Sequence, residues 1–360
     1  MAETVCFNCV LDSTVDELTL VDGVCQYCRG YRELENQIND FDINSYGAKL
    51  VETLRRTSKD PDYDCIVGIS GGLDSSYLLT WLVSIGVRPY VLHIDTCWDG
   101  EVATRNIYNL VNTLGLKLNT RVIDWGDLKI AQRAFFKANL IDCDVPQDHC
   151  FTSVLSSVAR NSGIRNVISG HNLFMEYVLP VSWSYNSNDA RHIRDVVWRQ
   201  EAKRLVNFPY MSPTYNYIGR KIAKSIIAHR PFLYHRFDIH ATKEMMNKKF
   251  GWEDYGGKHY ESEFTKFFQG DYLVEKFGID KRKAHYSNLI LSGQMTRDEA
   301  VAAMEKPTMT ELERFRLRTL VRNKLDFDDT EWVNLFSPTK AAHADYKSSH
   351  FLKLQKILFK

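Results

Sequence analysis

The chain has 360 residues, with 46 lysines and arginines against 45 aspartates and glutamates. This length favours more than one domain, since domains commonly span about 100 to 200 residues. The balance of charge excludes the overall basic field that attracts nucleic acid, and no apolar stretch approaches the roughly 18 residues that cross a bilayer. Because the first twenty residues include acidic side chains and lack a continuous apolar core, we expect no signal peptide, no membrane insertion and a cytoplasmic protein.

Four cysteines near the start of the chain form two pairs, each with two residues between its members: Cys6, Cys9, Cys25 and Cys28. Such pairs across a short, turn-rich segment are typical of Zn²⁺ bound by four thiolates. Paired disulfides and an iron–sulfur cluster are the alternatives, and a reducing compartment disfavours the disulfides. Because four protein ligands leave no open coordination position, we predict a structural zinc site in residues 1–35.

A polar helical pattern over residues 36–60 predicts a connector, and after it strands alternate with helices. This alternation indicates an α/β fold with a doubly wound parallel sheet over residues 61–188, whose ligands bind at the carboxyl ends of the strands. Predicted strands lie at 65–69, 89–95, 118–124 and 167–169, predicted helices at 74–86, 101–115, 125–139 and 151–162, and a predicted polar loop at 144–149.

The first of these strands runs into a loop of glycines and hydroxyls, Ser70-Gly71-Gly72-Leu73-Asp74-Ser75-Ser76. Glycines allow positive φ and close approach of a ligand, and the free N–H groups of the following helix favour a phosphate. A carboxylate at Asp74 suits such a site when Mg²⁺ accompanies the polyphosphate. The alternative is an ordinary strand-to-helix turn, with the aspartate and serine as first-turn helix residues.

The motif resembles the pyrophosphate loop of the N-type ATP pyrophosphatases, which cleave ATP between its α and β phosphates to adenylate an oxygen. No Gly-Lys-Ser/Thr follows, so it is not a Walker loop. The resemblance implies that ATP binds at Ser70, Gly71, Gly72, Asp74, Ser75 and Ser76, with Asp74 also a ligand of Mg²⁺.

Two further strand ends carry polar residues that we expect to face the nucleotide. His93 and Asp95 end the second strand, where the resemblance implies contacts with adenosine, although either side chain could cap the neighbouring turn. Gly170-His171-Asn172 follows the fourth strand and resembles a Gly-His-Asn or Gly-Glu-Asn segment of related enzymes. Should a helix begin there, Asn172 and Glu176 would share one face.

Beyond residue 188 the pattern is mostly helical, and we predict a substrate or partner domain over 189–360. Two clusters stand out in it. The first, residues 252–262, has a glycine pair beside Lys258, His259 and Glu261. The second, residues 280–287, concentrates cations that suit a pyrophosphate or a sugar-linked diphosphate, although solvated helix faces have the same composition.

These motifs, in this order, resemble the N-acetyl sugar amidotransferase family of lipopolysaccharide and flagellar glycan biosynthesis. The resemblance implies that ATP adenylates the amide oxygen of a nucleotide-linked N-acetyl sugar and that ammonia displaces AMP to leave an acetamidino group. This chain departs from the family pattern at His171, a position where Glu is expected more often. The implied catalytic residues are Asp74, Lys258, His259, Glu261 and Arg282, and the implied substrate contacts are Tyr255, Gly256, Gly257, Lys258, Lys281, Lys283 and His285.

Ammonia requires a source, and Ala2 excludes an amino-terminal cysteine glutaminase. By resemblance, a separate glutaminase subunit, possibly with a barrel protein, would deliver it. Two other functions are open: a tRNA thiolase, which would need a redox-active cysteine such as Cys97, Cys143 or Cys150, and a non-enzymatic zinc module that senses ATP.

Overall fold

The computed structural model describes residues 5–211 and 226–349. A five-stranded parallel sheet lies at its centre, in the order β5-β4-β3-β6-β7. Its strands are β3 (Cys65–Gly68), β4 (Pro89–Asp95), β5 (Leu118–Val122), β6 (Asn166–Ile168) and β7 (Ile227–His229), and a separate antiparallel hairpin joins β1 (Leu20–Val21) to β2 (Val24–Cys25).

The central strand β3 explains why the sheet forms here. Cys65, Ile66 and Val67 are all fully buried, as expected for a parallel strand covered on both faces. Val67 is in register with Val91 on one side and with Ile168 on the other. Strand order reverses between β3 and β6, so the loops that follow these two strands meet at a topological switch point.

Helices surround the sheet and make up most of the C-terminal region. Those of the first half are α1 (Gln26–Asn39), α2 (Ile43–Thr57), α3 (Leu73–Ser84), α4 (Glu101–Thr113), α5 (Trp125–Lys137), α6 (Val145–Ser162), α7 (Leu173–Glu176) and α8 (Ala190–Glu201). Those of the second half are α9 (Ile239–Phe250), α10 (Glu263–Phe267), α11 (Leu273–Phe277), α12 (Arg282–Leu291), α13 (Arg297–Met304), α14 (Glu311–Lys324) and α15 (Asp329–Leu335). None of the helices within the described ranges is both long and apolar enough to cross a membrane.

The predicted fold class is confirmed, while some predicted elements differ from the structure. The polar loop expected at 144–149 is wrong, because α6 already begins at Val145 with Pro146 in its first turn, where proline is favoured. The predicted connector, residues 36–60, holds the end of α1 and all of α2, and Asp42 caps α2 by accepting hydrogen bonds from Asn44 N and Ser45 N. The fifth strand, β7, was not predicted, and it comes from the region assigned to the C-terminal domain.

The cysteine segment does not stand apart from the rest of the molecule. Its four cysteines, with Leu11 and Val15, are buried in the same apolar core as α5, α6 and the C-terminal helices α10, α11, α12, α14 and α15. A second core fills the space between the sheet, α3, α4 and α9. The first and last thirds of the chain are therefore packed together.

Candidate active site

The loop between β3 and α3 has the local geometry of an anion site. Gly71 has a φ of +79°, and a Cβ there would lie 2.4 Å from the carbonyl oxygen of Ala103, so this position requires glycine. Gly72 caps α3 without a side-chain hydrogen bond, which leaves the first N–H groups of a 12-residue helix without a capping side chain. Ser70 Oγ and Ser75 Oγ lie 3.3 Å apart beside them.

Asp74 projects from the first turn of α3 towards the same space. Its Oδ1 accepts a hydrogen bond of 3.3 Å from Asn172 Nδ2, and it forms no ion pair among residues 5–211 and 226–349. Burial raises the pKa of Asp74, and the charge of Lys258 opposes that shift. A half-buried carboxylate without a cation partner fits a divalent ion, which would offset the cost of its desolvation.

A cleft of about 690 Å³ opens in front of this loop. The loop contributes Ser70, Gly72, Asp74 and Ser75 to its lining. Gly71 is not among the lining residues, and the hydroxyl of Ser76 is fully buried without a hydrogen-bond partner in the described chain. The facing wall comes from distant parts of the sequence and includes Tyr255, Gly256, Gly257, Lys258, His259, Glu261, Lys281, Arg282 and His285.

The first part of that wall is residues 252–262, which we call the strap. At one end Trp252 Nε1 donates a hydrogen bond of 3.0 Å to the carbonyl oxygen of Gly71. At the other end Gly100 N donates to the carbonyl oxygen of Glu261 at 2.8 Å. The strap is thus fixed at both ends to the region of the central sheet, and its glycine pair lines the cleft.

Glu261 and His259 lie close together on the strap. Glu261 Oε1 accepts a hydrogen bond of 3.4 Å from Ser70 Oγ, while its Oε2 is buried without a hydrogen-bond partner in the described residues. Burial, reinforced by the negative charge of Asp74, raises the pKa of Glu261 to about 7. Burial and the positive charge of Lys258 lower the pKa of His259 to about 4. His259 Nδ1 lies 4.0 Å from Glu261 Oε1. The backbone of His259 has a φ of +65°, which is a strained conformation for a residue other than glycine.

Lys258 holds the strap to α7. Its Nζ donates hydrogen bonds to the carbonyl oxygen of Met175 at 3.1 Å and to Glu176 Oε1 at 3.2 Å. Glu176 also contacts His171 Nδ1. Burial would raise the pKa of Glu176, but Lys258 and His171 lower it by more, so Glu176 stays ionised. Asn172 caps α7 and, with its amide, links this group to Asp74.

Three successive cations at the start of α12 have three different environments. Lys281 lines the cleft and forms no side-chain hydrogen bond or ion pair within the described ranges. Arg282 also lines the cleft, but its guanidinium is bidentate on Asp280 and donates to the carbonyl oxygen of Lys306 at 2.9 Å. Lys283 contacts the carboxylate of Asp12 and is not among the residues that line the cleft.

A second cavity, of about 680 Å³, lies at the carboxyl ends of β3, β4, β6 and β7. His93 contributes to its lining; Nδ1 lies 3.0 Å from the carbonyl oxygen of Ile69 and Nε2 lies 3.1 Å from Asp99 Oδ2. Burial lowers the pKa of His93, but Asp99 raises it by more, so the net shift is upward. Asp95 is outside this lining and accepts a hydrogen bond of 2.6 Å from Cys97 N.

The two cavities share one wall. Seven residues line both of them: Ser70, Ser75, His259, Glu261, Gln269, Lys281 and His285. Gln269 has no sequence signal, because it lies in a π-helical stretch with no local motif. Asp142 and Asp144, which line the second cavity beside α6, were not predicted either, since the sequence at the start of that helix is typical of a polar loop.

The four predicted metal ligands converge. Cys6 Sγ lies 3.8 Å from Cys28 Sγ and Cys9 Sγ lies 3.8 Å from Cys25 Sγ, and all four sulfurs fall within 4.8 Å of one another. Sulfurs placed tetrahedrally about 2.3 Å from zinc would be about 3.8 Å apart. The four cysteines could therefore hold one metal ion, and the structure contains no disulfide among the residues it describes.

Comparison with known proteins gives one family. No curated protein matches the chain. A solved structure, NMN synthetase from Francisella tularensis, is similar with 14% sequence identity over 80% of this chain and 98% of that chain, at a TM-score of 0.40. Residues 261–358 match the family model described as LPS biosynthesis protein WbpG-like, C-terminal domain. Residues 261–358 are thus similar to the C-terminal domain of a family of lipopolysaccharide biosynthesis proteins, the biosynthetic class to which the resemblance of the motifs pointed.

Proposed function

We propose that the protein is an ATP-dependent amidotransferase that converts the N-acetyl group of a nucleotide-linked sugar into an acetamidino group for lipopolysaccharide or flagellar glycan synthesis. The observation that carries the proposal is the shared wall of the two cavities. The second cavity lies at the carboxyl ends of the parallel strands, and the cleft beneath the strap lies against the region that matches the WbpG-like family model. Two ligands bound on either side would meet at the anion loop.

ATP would occupy the second cavity with its phosphates at the loop. The strand ends and His93 would contact the adenosine, as ligands commonly lie at this edge of such sheets. The N–H groups that begin α3 and the hydroxyls of Ser70 and Ser75 would bind the phosphates. Asp74 would hold Mg²⁺, which supplies charge neutralisation to the pyrophosphate that leaves.

The sugar would occupy the cleft beneath the strap, with its acetyl group at the shared wall. The amide oxygen attacks the α phosphorus and pyrophosphate leaves. Ammonia then attacks the imidate carbon, and the bond to oxygen breaks to release AMP. The chain contributes alignment and stabilisation of charge to both steps.

Glu261 is the residue best suited to accept the proton from the attacking ammonia. One of its oxygens is unpartnered in the described structure, it lines both cavities, and its pKa of about 7 matches a base at neutral pH. His259 lies beside it, but its pKa of about 4 makes it a weaker base.

Lys281 is the cation best suited to stabilise the developing negative charge. Lys258 and Arg282, the residues that the resemblance implied, are engaged by Glu176 and by Asp280. Lys281 faces both cavities without such a partner in residues 5–211 and 226–349. Its ammonium group would therefore be available to a phosphate at the shared wall.

The four cysteines would hold Zn²⁺ in a closed structural site. Ammonia would come from a separate glutaminase subunit, possibly with a barrel protein, and free ammonia would replace it in vitro. The thiolase alternative lacks support in the cysteines, because burial raises the pKa of Cys97, Cys143 and Cys150. An ATP-sensing module would leave the cleft beneath the strap without a ligand.

The test is incubation of the purified protein with ATP, Mg²⁺, isotopically labelled ammonium and a panel of nucleotide-linked N-acetyl sugars. We expect equal release of AMP and pyrophosphate with one of these sugars, and labelled nitrogen in the sugar product. Release of AMP that depends on tRNA would support the thiolase instead. ATP binding without turnover over the whole panel, with ammonia present, would contradict the proposal.

A further inference from the structure

Helix α12 uses its two faces differently. His285 and Tyr286 line the cleft, together with Lys281 just before the helix. Lys283 and Ser287, four residues apart on the opposite face, contact the cysteine segment. The helix therefore lies between the cleft and the segment that holds the four cysteines.

The contact is specific and largely buried. Lys283 Nζ donates to the carboxylate of Asp12, which is 3% exposed and also accepts hydrogen bonds from Thr14. Val10 N donates to Ser287 Oγ at 3.4 Å. In helix α13, Arg297 Nε donates to the carbonyl oxygen of Cys9 at 3.2 Å. Backbone and side chains of residues 9–14 thus hold two neighbouring helices.

The same segment also holds the opposite side of the site. The carboxylate of Glu17 accepts hydrogen bonds from the backbone N–H groups of Val181 and Ser182, and Trp183 Nε1 donates to the carbonyl oxygen of Thr14 at 2.9 Å. Trp183, with Leu179 and Pro180, lines the second cavity. Residues 9–17 therefore touch one wall of each cavity.

Regular secondary structure does not fix the shape of this segment. Residues 5–19 contain no helix or strand; isolated turn hydrogen bonds, such as that from Cys6 N to the carbonyl oxygen of Leu11 at 2.9 Å, and the convergence of the four cysteines hold it. In a closed thiolate site, the metal would supply the rigidity that regular secondary structure supplies elsewhere.

We infer that the cysteine site is a positioning device for the active site, and that the Asp12–Lys283 pair transmits its geometry to helix α12. Lys283 is then a positioning residue that never touches the substrate. Arg297 and Glu17 act in the same way on helix α13 and on the segment that begins at Val181. The inference concerns the walls of the cavities and does not depend on the proposed reaction.

The test compares amide hydrogen exchange in the zinc-loaded full chain, the chelator-stripped chain and an Asp12→Asn variant that retains its zinc. Asp271→Asn is the matched control, since Asp271 is also buried and paired with arginines, but on helices away from the cysteine segment. Each protein is also titrated with Mg-ATP and with inorganic pyrophosphate.

Stripping should speed exchange in residues 177–183 and 282–291 by about tenfold or more, while helix α4 keeps its rate, because only the former contact the segment. Asp12→Asn should also speed amide hydrogen exchange in residues 282–291 while zinc stays bound. Asp271→Asn should leave the exchange rate of these residues unchanged. If removal of zinc by the chelator unfolds the whole chain, the exchange rates of the zinc-bound Asp12→Asn variant alone test the inference. Unchanged exchange over 282–291 in Asp12→Asn would overturn the inference, whatever the turnover assay shows.

Discussion

The loop over residues 68–76 and the wall that faces it are built in opposite ways. The loop takes its donors from one continuous stretch, and its geometry follows from two glycines and a helix start. The facing wall takes its side chains from the strap and from residues 280–285, whose directions depend on contacts with distant elements. The geometry of the loop is therefore determined by its own sequence, whereas the geometry of the facing wall is determined by tertiary packing.

The cations of the second cluster make this difference concrete. Lys281, Arg282 and Lys283 are adjacent in sequence and look equivalent as ligands of phosphate. Helical geometry turns successive side chains by roughly 100°. Lys281 and Arg282 both line the cleft, but Arg282 is bound to Asp280, and Lys283 turns to Asp12. Neighbouring residues in a charged run therefore need not share a ligand.

The largest expected effect lies in the loop. Asp74→Asn should reduce AMP formation by about 100-fold or more, because it removes the carboxylate that would hold the cation. The control is Asp64→Asn. Asp64 lies just before β3, at the end of the strand away from the loop, and its carboxylate pairs with Arg88. AMP release by Asp74→Asn within threefold of the Asp64→Asn rate would refute the assignment.

In the facing wall, Lys281→Met should lower kcat by about 10- to 100-fold and leave the melting temperature nearly unchanged, since it removes a cation from the site. Its neighbour Lys283→Met should instead lower the melting temperature, because it leaves the buried Asp12 unpaired. Steady-state kinetics and thermal unfolding of both variants check this contrast. The reverse pattern would mean that the two lysines have exchanged roles.

The third prediction concerns the free energy of unfolding and depends on the positive φ of Gly71 in the loop. Gly71→Ala should lower the free energy of unfolding by about 2 kcal/mol or more, since the new Cβ would meet the Ala103 carbonyl. Gly163→Ala is the matched control, because Gly163 has a similar φ of +77° with no atom within 4 Å, and should cost about 1 kcal/mol. Denaturant titration measures both, and equal losses would remove the case for a close approach at Gly71.

The smallest expected effect is a pH dependence at Glu261. Its pKa in the folded state, about 7, lies above its ordinary value of 4.5, so its contribution to stability is full below pH 4.5 and is lost as the pH rises through 7. The free energy of unfolding of the wild type should thus fall across this window relative to Glu261→Gln. Parallel stability curves for the two proteins would contradict the raised pKa.

Much of the α/β region could be predicted from the sequence, because its signals are local. The buried run Cys65-Ile66-Val67 and the glycine loop define the strand, the turn and the helix that follow each other there. The fifth strand, Ile227–His229, was missed because it lies beyond residue 188, where the pattern was expected to be mostly helical. The cysteine cluster was predictable from spacing alone.

The start of α6 and the place of Gln269 in the shared wall were not predictable, because both depend on packing between segments that are far apart in sequence. The wall residues from the two clusters 252–262 and 280–287 were predicted, because those clusters stand out by local composition. Gln147 looked like a loop residue, yet it bonds Thr96 and Thr265, which are far away in sequence. Gln269 lines both cavities, yet it lies in a π-helical stretch, Phe268–Tyr272, to which no local motif points. No spacing rule in one sequence reports such contacts.

The central claim, that an N-acetyl oxygen meets the α phosphorus of ATP at the shared wall, has one direct test. The acetyl oxygen of the active nucleotide-linked sugar is replaced by a heavy oxygen isotope, and the products are analysed by mass spectrometry after turnover with ammonia. The account predicts that the label appears in the phosphate of AMP. Label that remains in the sugar, or that appears in pyrophosphate, would contradict it.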